Sequence, residues 1–201
     1  MPCCVPPDAR PLVAVLAAGA GSRFARTGYG GKLDAMLAGQ PVGQWTIAAI
    51  GAAGLGPGVI IVGPEAPQFA RASGWPLVVN AKAAQGLGTS LALAATQAMV
   101  QGRALLVALA DMPLVDPAHL ALLAQTKAIT ATGWPNGRAG VPACFPLATL
   151  PELAQISGDA GAGALLTGRA GLHLVEAAPQ MLLDIDTPAD LASAEQSLRR
   201  G

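Results

Sequence analysis

The sequence predicts a layered α/β fold with a mostly parallel sheet. Unbroken apolar runs at residues 12–16, 59–62 and 104–109 are shorter than a typical helix and rich in Val, Ile and Leu. Runs of this kind are typical of strands that are buried on both faces. Because segments with helical spacing of apolar residues separate them, we expect helices to cover both faces of the sheet.

Strands are predicted where short apolar runs lie between turn signals. They fall at residues 12–16, 59–62, 77–79, 104–109, 128–131, 139–145 and 172–175. Between the first two, residues 33–37 form a short extended piece and residues 38–41 a turn.

Helices are predicted from helical spacing and from start and stop signals. They cover residues 42–53, 65–72, the segment from the turn 85–90 to about 100, 151–156 and a short piece ending near 167. Two more begin at capping residues followed by proline, Asp116-Pro117 and Thr187-Pro188. Thr187 and Asp190 have the spacing of a capping box.

Composition excludes several classes of protein. Of the 201 residues, 52% are hydrophobic and 12% charged, so the chain can bury a large core. We expect a flexible N-terminal tail at 1–11 and a single domain at 12–201. Zero formal net charge and 3% aromatic residues argue against a nucleic-acid surface. No apolar run reaches the roughly 18 residues of a membrane span, and residues 1–10 do not resemble a signal peptide. We therefore expect a cytoplasmic location.

Metal-binding and redox motifs built on cysteine or histidine are not indicated. Cys3, Cys4 and Cys144 do not have common zinc spacings, and His119 and His173 are the only histidines. Cys144 lies in a predicted strand and is interpreted as a small core residue.

The loop after the first strand has the composition of a phosphate site. Small residues and two glycines, Gly19 and Gly21, allow the backbone to turn sharply, so that successive N–H groups can face an anion. Arg23 and Lys32 add positive charge. The alternative interpretation is a Gly-rich turn with surface charges. The loop matches neither the P-loop pattern nor G-x-G-x-x-G, because Phe24 stands where the third glycine is required.

Two carboxylates are candidate Mg²⁺ ligands. Asp111 directly follows a buried parallel strand and should therefore lie on the ligand-binding edge of the sheet. Asp186 precedes the C-terminal helix, and Asp184 competes with it for the same role. Mg²⁺ is typically held by a few carboxylates together with phosphate oxygens. The alternative is that these aspartates only cap helices or loops.

The strand-to-helix connection at residues 80–90 is a further candidate site. Asn80 and the turn from Gly86 to Ser90 could bond a base or ribose, or could simply connect two elements. Trp45, Trp75 and Trp134 are interpreted as core or rim residues.

These segments, taken together, resemble the MobA-like nucleotidyltransferases, and most of all the molybdenum cofactor cytidylyltransferases. The matching motifs are LAAGAGSRF with Lys32, NAKAAQGLGTS, LADMP, GVPACF, SGDAGAGALL and DIDTPADL. They occur in order across about residues 12–195. The resemblance implies a three-layer, Rossmann-like α/β fold of the nucleotide-diphospho-sugar transferase type.

The resemblance also implies roles for individual residues. Arg23, Lys32 and Asp111 would be catalytic, and Asp111 and Asp186 would bind Mg²⁺. Nucleotide-binding positions would be Leu16, Ala17, Ala18, Gly19, Gly21, Ser22, Asn80, Gly86, Gly88 and Ser90. The LAAG form is similar to the cytidylyl-transferring branch and favours CTP over GTP.

Two departures from the family pattern concern the loop and the acceptor side. The loop between Arg23 and Lys32 carries a Gly-rich insertion at 27–31, and Gly163 stands where an arginine is often found. The resemblance implies transfer of CMP from CTP to the phosphate of the molybdopterin cofactor, with a molybdoenzyme as a possible client. The alternatives are a guanylyltransferase, a sugar-phosphate nucleotidyltransferase, or a non-catalytic chaperone for the cofactor. An acceptor phosphate is already a nucleophile, so the scarcity of histidine agrees with this chemistry.

Overall fold

The structure is a computed structural model that describes residues 10–19, 24, 31–125, 127–158 and 161–200. Most of the predicted tail, together with the loop residues Gly21, Ser22 and Arg23, lies outside this part of the chain. The division into a tail and one domain stays a prediction.

A seven-stranded sheet forms the centre of the protein. In chain order its strands are β1 (Leu12–Ala17), β4 (Val59–Val62), β5 (Leu77–Val79), β6 (Leu105–Leu109), β7 (Thr130–Gly133), β8 (Ala139–Phe145) and β9 (His173–Glu176). A small hairpin of β2 (Met36–Leu37) and β3 (Gln40–Pro41) stands apart from it.

The strand order is β5-β4-β1-β6-β8-β7-β9, and only β8 runs against its neighbours. β1 pairs in parallel with β4 on one side and with β6 on the other. From β1 the chain adds strands first on one side of the sheet and then, with β6, on the other. Such a topological switch point opens a crevice at the carboxyl ends of the strands. The mostly parallel α/β sheet predicted from the sequence is confirmed.

The helices lie on both faces of the sheet. They are α1 (Val42–Ala52), α2 (Gln68–Ala72), α3 (Leu87–Val100), α4 (Pro117–Leu123), α5 (Leu150–Leu153), α6 (Gly163–Leu166) and α7 (Pro188–Leu198). Short 3-10 turns occur at Ala83–Gln85, Leu147–Thr149 and Pro179–Leu182. Among the described helices, none is long and apolar enough to cross a membrane.

Alternate side chains of β1 enter two separate cores. Leu12, Ala14 and Leu16 pack towards α3, α5 and α6, whereas Val13, Val15 and Ala17 pack towards α1, α2 and α4. This is the period-two alternation of a strand that is buried on both faces. A third, smaller core joins Phe24 to the β2–β3 hairpin and to α7.

Several element boundaries differ from the sequence prediction. The helix predicted at 65–72 begins only at Gln68, because Pro67 disfavours helical geometry in the residue before it. The carboxylate of Asp34 then accepts bonds from the first backbone N–H groups of this helix, at Gln68 and Phe69. Only Ala38 and Gly39 of the predicted turn at 38–41 form the tip of the hairpin, and both have positive φ, as a type I′ turn requires. Gln40–Pro41 is strand β3 instead, because it pairs with β2.

Gly43 and Gly51 lie in the same helix, α1, but replacing each of them with alanine should change the stability of the fold in opposite directions. A Cβ at Gly43 would lie 2.5 Å from Cζ of Phe69, whose ring is buried. A Cβ at Gly51 would meet nothing within 4 Å. We expect Gly43→Ala to destabilise the fold by about 1–3 kcal/mol through overpacking. Gly51→Ala should stabilise it by about 0.5–1 kcal/mol through helix propensity. Urea unfolding of both variants measures this, and two shifts of the same sign would contradict the packing described.

His119 of α4 predicts an acid-dependent loss of stability. Its Nε2 lies 2.9 Å from Oγ1 of Thr132, and the Thr132 hydroxyl donates to the Pro142 carbonyl, so Nε2 is the donor. Burial, opposed by the charge of Asp116, lowers the pKa of His119 below its ordinary value near 6.5. The unfolded chain therefore takes up the proton first as the pH falls.

We expect the free energy of unfolding of the wild type to fall from pH 7 to pH 5 more steeply than that of His119→Gln. Denaturant titrations at several pH values compare the two slopes. Parallel curves would show that His119 binds protons equally in the folded and unfolded states, and the lowered pKa would then be wrong.

Candidate active site

A lysine and two aspartates from three distant segments meet at the carboxyl edge of the sheet. Nζ of Lys32 lies 2.6 Å from Oδ2 of Asp111 and 2.9 Å from Oδ1 of Asp186. Lys32 is only 9% exposed. Burial disfavours its charged form, but the charges and hydrogen bonds of the two aspartates outweigh this effect and raise the pKa of Lys32. Lys32 is therefore a firmly protonated ammonium.

Asp111 is positioned by the end of β6 and by contacts on both sides of it. The buried Thr46 hydroxyl of α1 lies 3.2 Å from the carbonyl oxygens of both Leu109 and Met112. The backbone N–H of Ile185 donates to the Asp111 carbonyl at 2.9 Å. This last bond ties the β6 turn to the segment that carries Asp186.

Asp186 is positioned by the start of α7. Thr187 and Asp190 form the predicted capping box, with Pro188 at the first helical position. Oδ2 of Asp190 also accepts a bond from the backbone N–H of Asp186 at 3.1 Å. The cap thus orders Asp186, the residue that precedes the N-cap Thr187.

Asp184 is a third carboxylate of this cluster. Its Oδ1 is buried and has no hydrogen-bond partner among the described residues. Burial first, and then the charge of Asp111, raise its pKa to about 6, although the Lys32 charge acts in the opposite direction. An unsatisfied buried oxygen beside two other carboxylates is a suitable donor for a hard cation.

The donor set fits Mg²⁺ or Mn²⁺, since it consists of carboxylate oxygens only. No group of three or more Asp, Glu, His or Cys side chains in the described ranges is arranged to hold a metal ion by itself. A metal at Asp111 and Asp186 would therefore need further ligands from phosphate or water.

A cleft of about 670 Å³ is lined by Lys32 and by the start of the predicted phosphate loop, which follows β1. Its wall includes Ala17, Ala18 and Gly19 from the end of β1, and Arg71 from α2. The described part of the predicted nucleotide loop thus faces an open cleft next to the lysine. The roles predicted for Gly21, Ser22 and Arg23 fall on residues that the structure does not describe.

Asn80 and Ser90 lie next to this cleft but bond to each other. Nδ2 of Asn80 donates to the hydroxyls of Thr89 and Ser90, at 2.8 and 2.9 Å. Its Oδ1 accepts from the backbone N–H of Lys82. Both amide protons of Asn80 are therefore used within the protein, where they brace the turn that carries Ala83 and Ala84 into the cleft wall. Contact of Asn80 or Ser90 with a nucleotide stays a prediction.

The remaining turn positions have backbone functions. Gly86 precedes α3 with a φ of 114°, a conformation that favours glycine. The N–H of Gly88 donates to the Gly158 carbonyl at 2.9 Å, so the start of α3 is joined to the loop before α6.

A second, smaller cavity of about 230 Å³ lies on the opposite face of the sheet. Its lining includes Leu16 and Leu109 at the ends of β1 and β6, and Trp134 and Arg138 from the β7–β8 hairpin. Contact of Leu16 with a nucleotide stays a prediction. Sequence analysis missed both hairpin residues as site candidates. The turn signal at Pro135-Asn136-Gly137 would have located them only if the antiparallel direction of β8 had been recognised.

The sequence and the fold match known nucleotidyltransferases. Residues 13–176 match the family described as MobA-like NTP transferase domain. A nucleotidyl transferase from Methanothermobacter thermautotroptrophicus is 26% identical, with a TM-score of 0.78 over 96% of this chain and 99% of that one. No curated protein sequence matches the chain significantly.

Two more distant solved structures share the fold. Rv0371c from Mycobacterium tuberculosis H37Rv, in complex with manganese, is 24% identical with a TM-score of 0.68, over 94% of this chain and 99% of that one. The CTP:phosphocholine cytidylyltransferase LicC from Streptococcus pneumoniae is 17% identical with a TM-score of 0.67, over the same shares. On the match across residues 13–176, this chain belongs to the family of MobA-like NTP transferases, and its class of activity is nucleotidyl transfer.

Proposed function

We propose that this protein transfers CMP from CTP to the phosphate of the molybdopterin cofactor, with Mg²⁺ as the metal, and releases pyrophosphate. The observation that carries the proposal is the contact of Lys32 with Asp111 and Asp186 at the sheet edge reached by two cavities. A transfer between two substrates needs two binding spaces that meet at one charged centre.

The larger cleft is suited to the nucleoside triphosphate. The backbone at Ala17–Gly19 lines it together with the Lys32 ammonium and the exposed Arg71. Arg23, which belongs to the same loop in sequence, would add a second guanidinium for the β and γ phosphates. These groups offer N–H donors and positive charge, which is what a polyphosphate requires.

The residues present fit in-line phosphoryl chemistry. An oxygen of the acceptor phosphate attacks the α-phosphorus of CTP, and the bond from that phosphorus to the β-phosphate oxygen breaks. Lys32 would neutralise charge that develops on the α-phosphate, and Asp111 and Asp186 would hold Mg²⁺. When bound, Mg²⁺ supplies Lewis-acid stabilisation of the phosphate oxygens. The acceptor phosphate is already ionised, so no histidine base is required.

Three observations support the choice of substrates. The LAAG form of the first loop is similar to the cytidylyl-transferring branch of the family. A solved structure of the same fold is that of a CTP:phosphocholine cytidylyltransferase, and phosphocholine also carries a phosphate monoester. The small cavity, which is lined by leucines, by Trp134 and by Arg138, is suited to an acceptor that combines a planar ring with an anionic group.

Pyrophosphate release tests the reaction and its specificity. CTP, GTP, ATP and UTP are compared with Mg²⁺, with and without the molybdopterin cofactor. We expect pyrophosphate release from CTP and not from the other three nucleotides, and only when the cofactor is present. The rate of release should fall by about a hundred-fold or more in Asp111→Asn. Glu176→Gln, an exposed carboxylate at the end of β9, is the matched control and should retain full activity.

Release with GTP instead would move the assignment to guanylyl transfer. Cofactor-independent release with sugar phosphates would assign a sugar-phosphate acceptor. If no nucleotide is consumed while cofactor is still delivered to a molybdoenzyme, the protein is a chaperone and the proposed reaction is wrong.

Substitution of Arg138 or of Arg71 should affect the binding of only one of the two substrates. Arg138 lines only the small cavity and Arg71 only the large cleft. Because a hydrogen bond to a charged group contributes about 1.5–3 kcal/mol, Arg138→Gln should raise the KM for the acceptor by roughly ten-fold and leave the KM for CTP unchanged. Arg71→Gln should do the reverse. If each variant changes both constants equally, the assignment of one cavity to each substrate is wrong.

A further inference from the structure

We propose that Lys32 is an internal cation that competes with the divalent metal, so that metal binding requires the Lys32 ammonium to leave Asp111 and Asp186. The inference rests on the proposed function only for the identity of the two metal ligands. It adds a role for Lys32 that precedes any reaction.

The starting observation is the bridging position of Nζ. It lies within 2.6 and 2.9 Å of one oxygen on each of two carboxylates. These carboxylates are separated from Lys32 by 79 and 154 positions in sequence, so the contact depends on the tertiary fold. The Lys32 ammonium therefore occupies the point where Asp111 and Asp186 could share one cation.

A metal ion and this ammonium cannot occupy that point together. Mg²⁺ binds carboxylate oxygens at about 2.0–2.1 Å, so an ion shared by the same two oxygens would overlap the Nζ position. Metal binding through the other carboxylate oxygens would still bring a divalent charge within a few ångströms of the ammonium. The side chains of Lys32 and Asp111 are only 11% and 20% exposed, so water screens this repulsion weakly.

The displaced ammonium has a defined destination. Lys32 also lines the large cleft, where a triphosphate would offer it new anionic partners. A nucleotide that attracts Lys32 makes the carboxylates available to the metal, and a metal that displaces Lys32 makes the ammonium available to the nucleotide. By linkage, metal and nucleotide each increase the affinity of the other.

Mn²⁺ binding without nucleotide tests the competition directly. Free Mn²⁺ is measured by electron paramagnetic resonance at pH 7.5 for the wild type, Lys32→Gln, Lys32→Arg and Lys127→Gln. Lys127 is exposed and precedes β7. It therefore lies at the amino ends of the parallel strands, away from Asp111 and Asp186, and controls for the change in net charge. We expect Lys32→Gln to bind Mn²⁺ on the order of ten-fold more tightly than the wild type.

Lys32→Arg, which retains a cation, and Lys127→Gln should remain within about three-fold of the wild type. Equal or weaker Mn²⁺ binding by Lys32→Gln would overturn the proposal. So would an equal gain in Lys127→Gln, because net charge alone would then explain the effect.

A second measurement uses the wild-type protein and does not depend on the folding of a Lys32 variant. The chain contains three lysines, Lys32, Lys82 and Lys127. With ¹³Cε-labelled lysine, Lys82→Gln and Lys127→Gln assign the Lys32 signal by elimination. Mg²⁺ without nucleotide should move the Lys32 signal and leave that of Lys127 in place. An unchanged Lys32 signal at Mg²⁺ concentrations that saturate Mn²⁺ displacement would overturn the proposal.

The outcome is separate from that of the proposed reaction. If the wild type releases pyrophosphate but Lys32→Gln has the same Mn²⁺ affinity as the wild type, the competition is refuted and CMP transfer is not. Competition without pyrophosphate release would refute CMP transfer and leave the role of Lys32 intact.

Discussion

The candidate active site depends on one ammonium group that bridges two carboxylates. Lys32 joins the segment after the first loop to the end of β6 and to the start of α7. With Asp184 included, the cluster places three carboxylates near one cation in a partly buried space. Such a group of like charges is unfavourable without compensation. Lys32 supplies the compensation within the described residues, and a divalent metal and a polyphosphate together could supply it during a reaction.

The topology of the sheet supports the proposal that this cluster serves two substrates. Because β1 is buried on both faces, its side chains alternate between two cores. Its end at Leu16 and Ala17 contributes to a cavity on each face. The turn that follows β6 then brings Asp111 to the same edge. An open α/β sheet with its switch point at this place binds ligands at the carboxyl ends of its strands.

The sequence predicted the features that follow from local patterns, and it missed those that follow from strand direction. Apolar runs located the parallel strands, and position after a buried strand singled out Asp111. Asp184 and Asp186 flank the buried Ile185 and have the same local pattern. Only tertiary contacts distinguish Asp186, which bonds to Lys32, from Asp184, whose Oδ1 has no partner among the described residues. Trp134 was interpreted as a core or rim residue because the turn signal at Pro135-Asn136-Gly137 does not by itself show that β8 runs antiparallel to β6 and β7 or which cavity the hairpin lines.

A crystal structure with Mg²⁺ and a non-hydrolysable CTP analogue would test whether transfer takes place at Lys32, Asp111 and Asp186. We expect the metal on Asp111 and Asp186, the triphosphate in the cleft lined by Ala17–Gly19, and Lys32 Nζ turned towards the α-phosphate. A nucleotide bound in the cavity beneath Trp134, or a metal away from both carboxylates with Lys32 still bridging them, would contradict it.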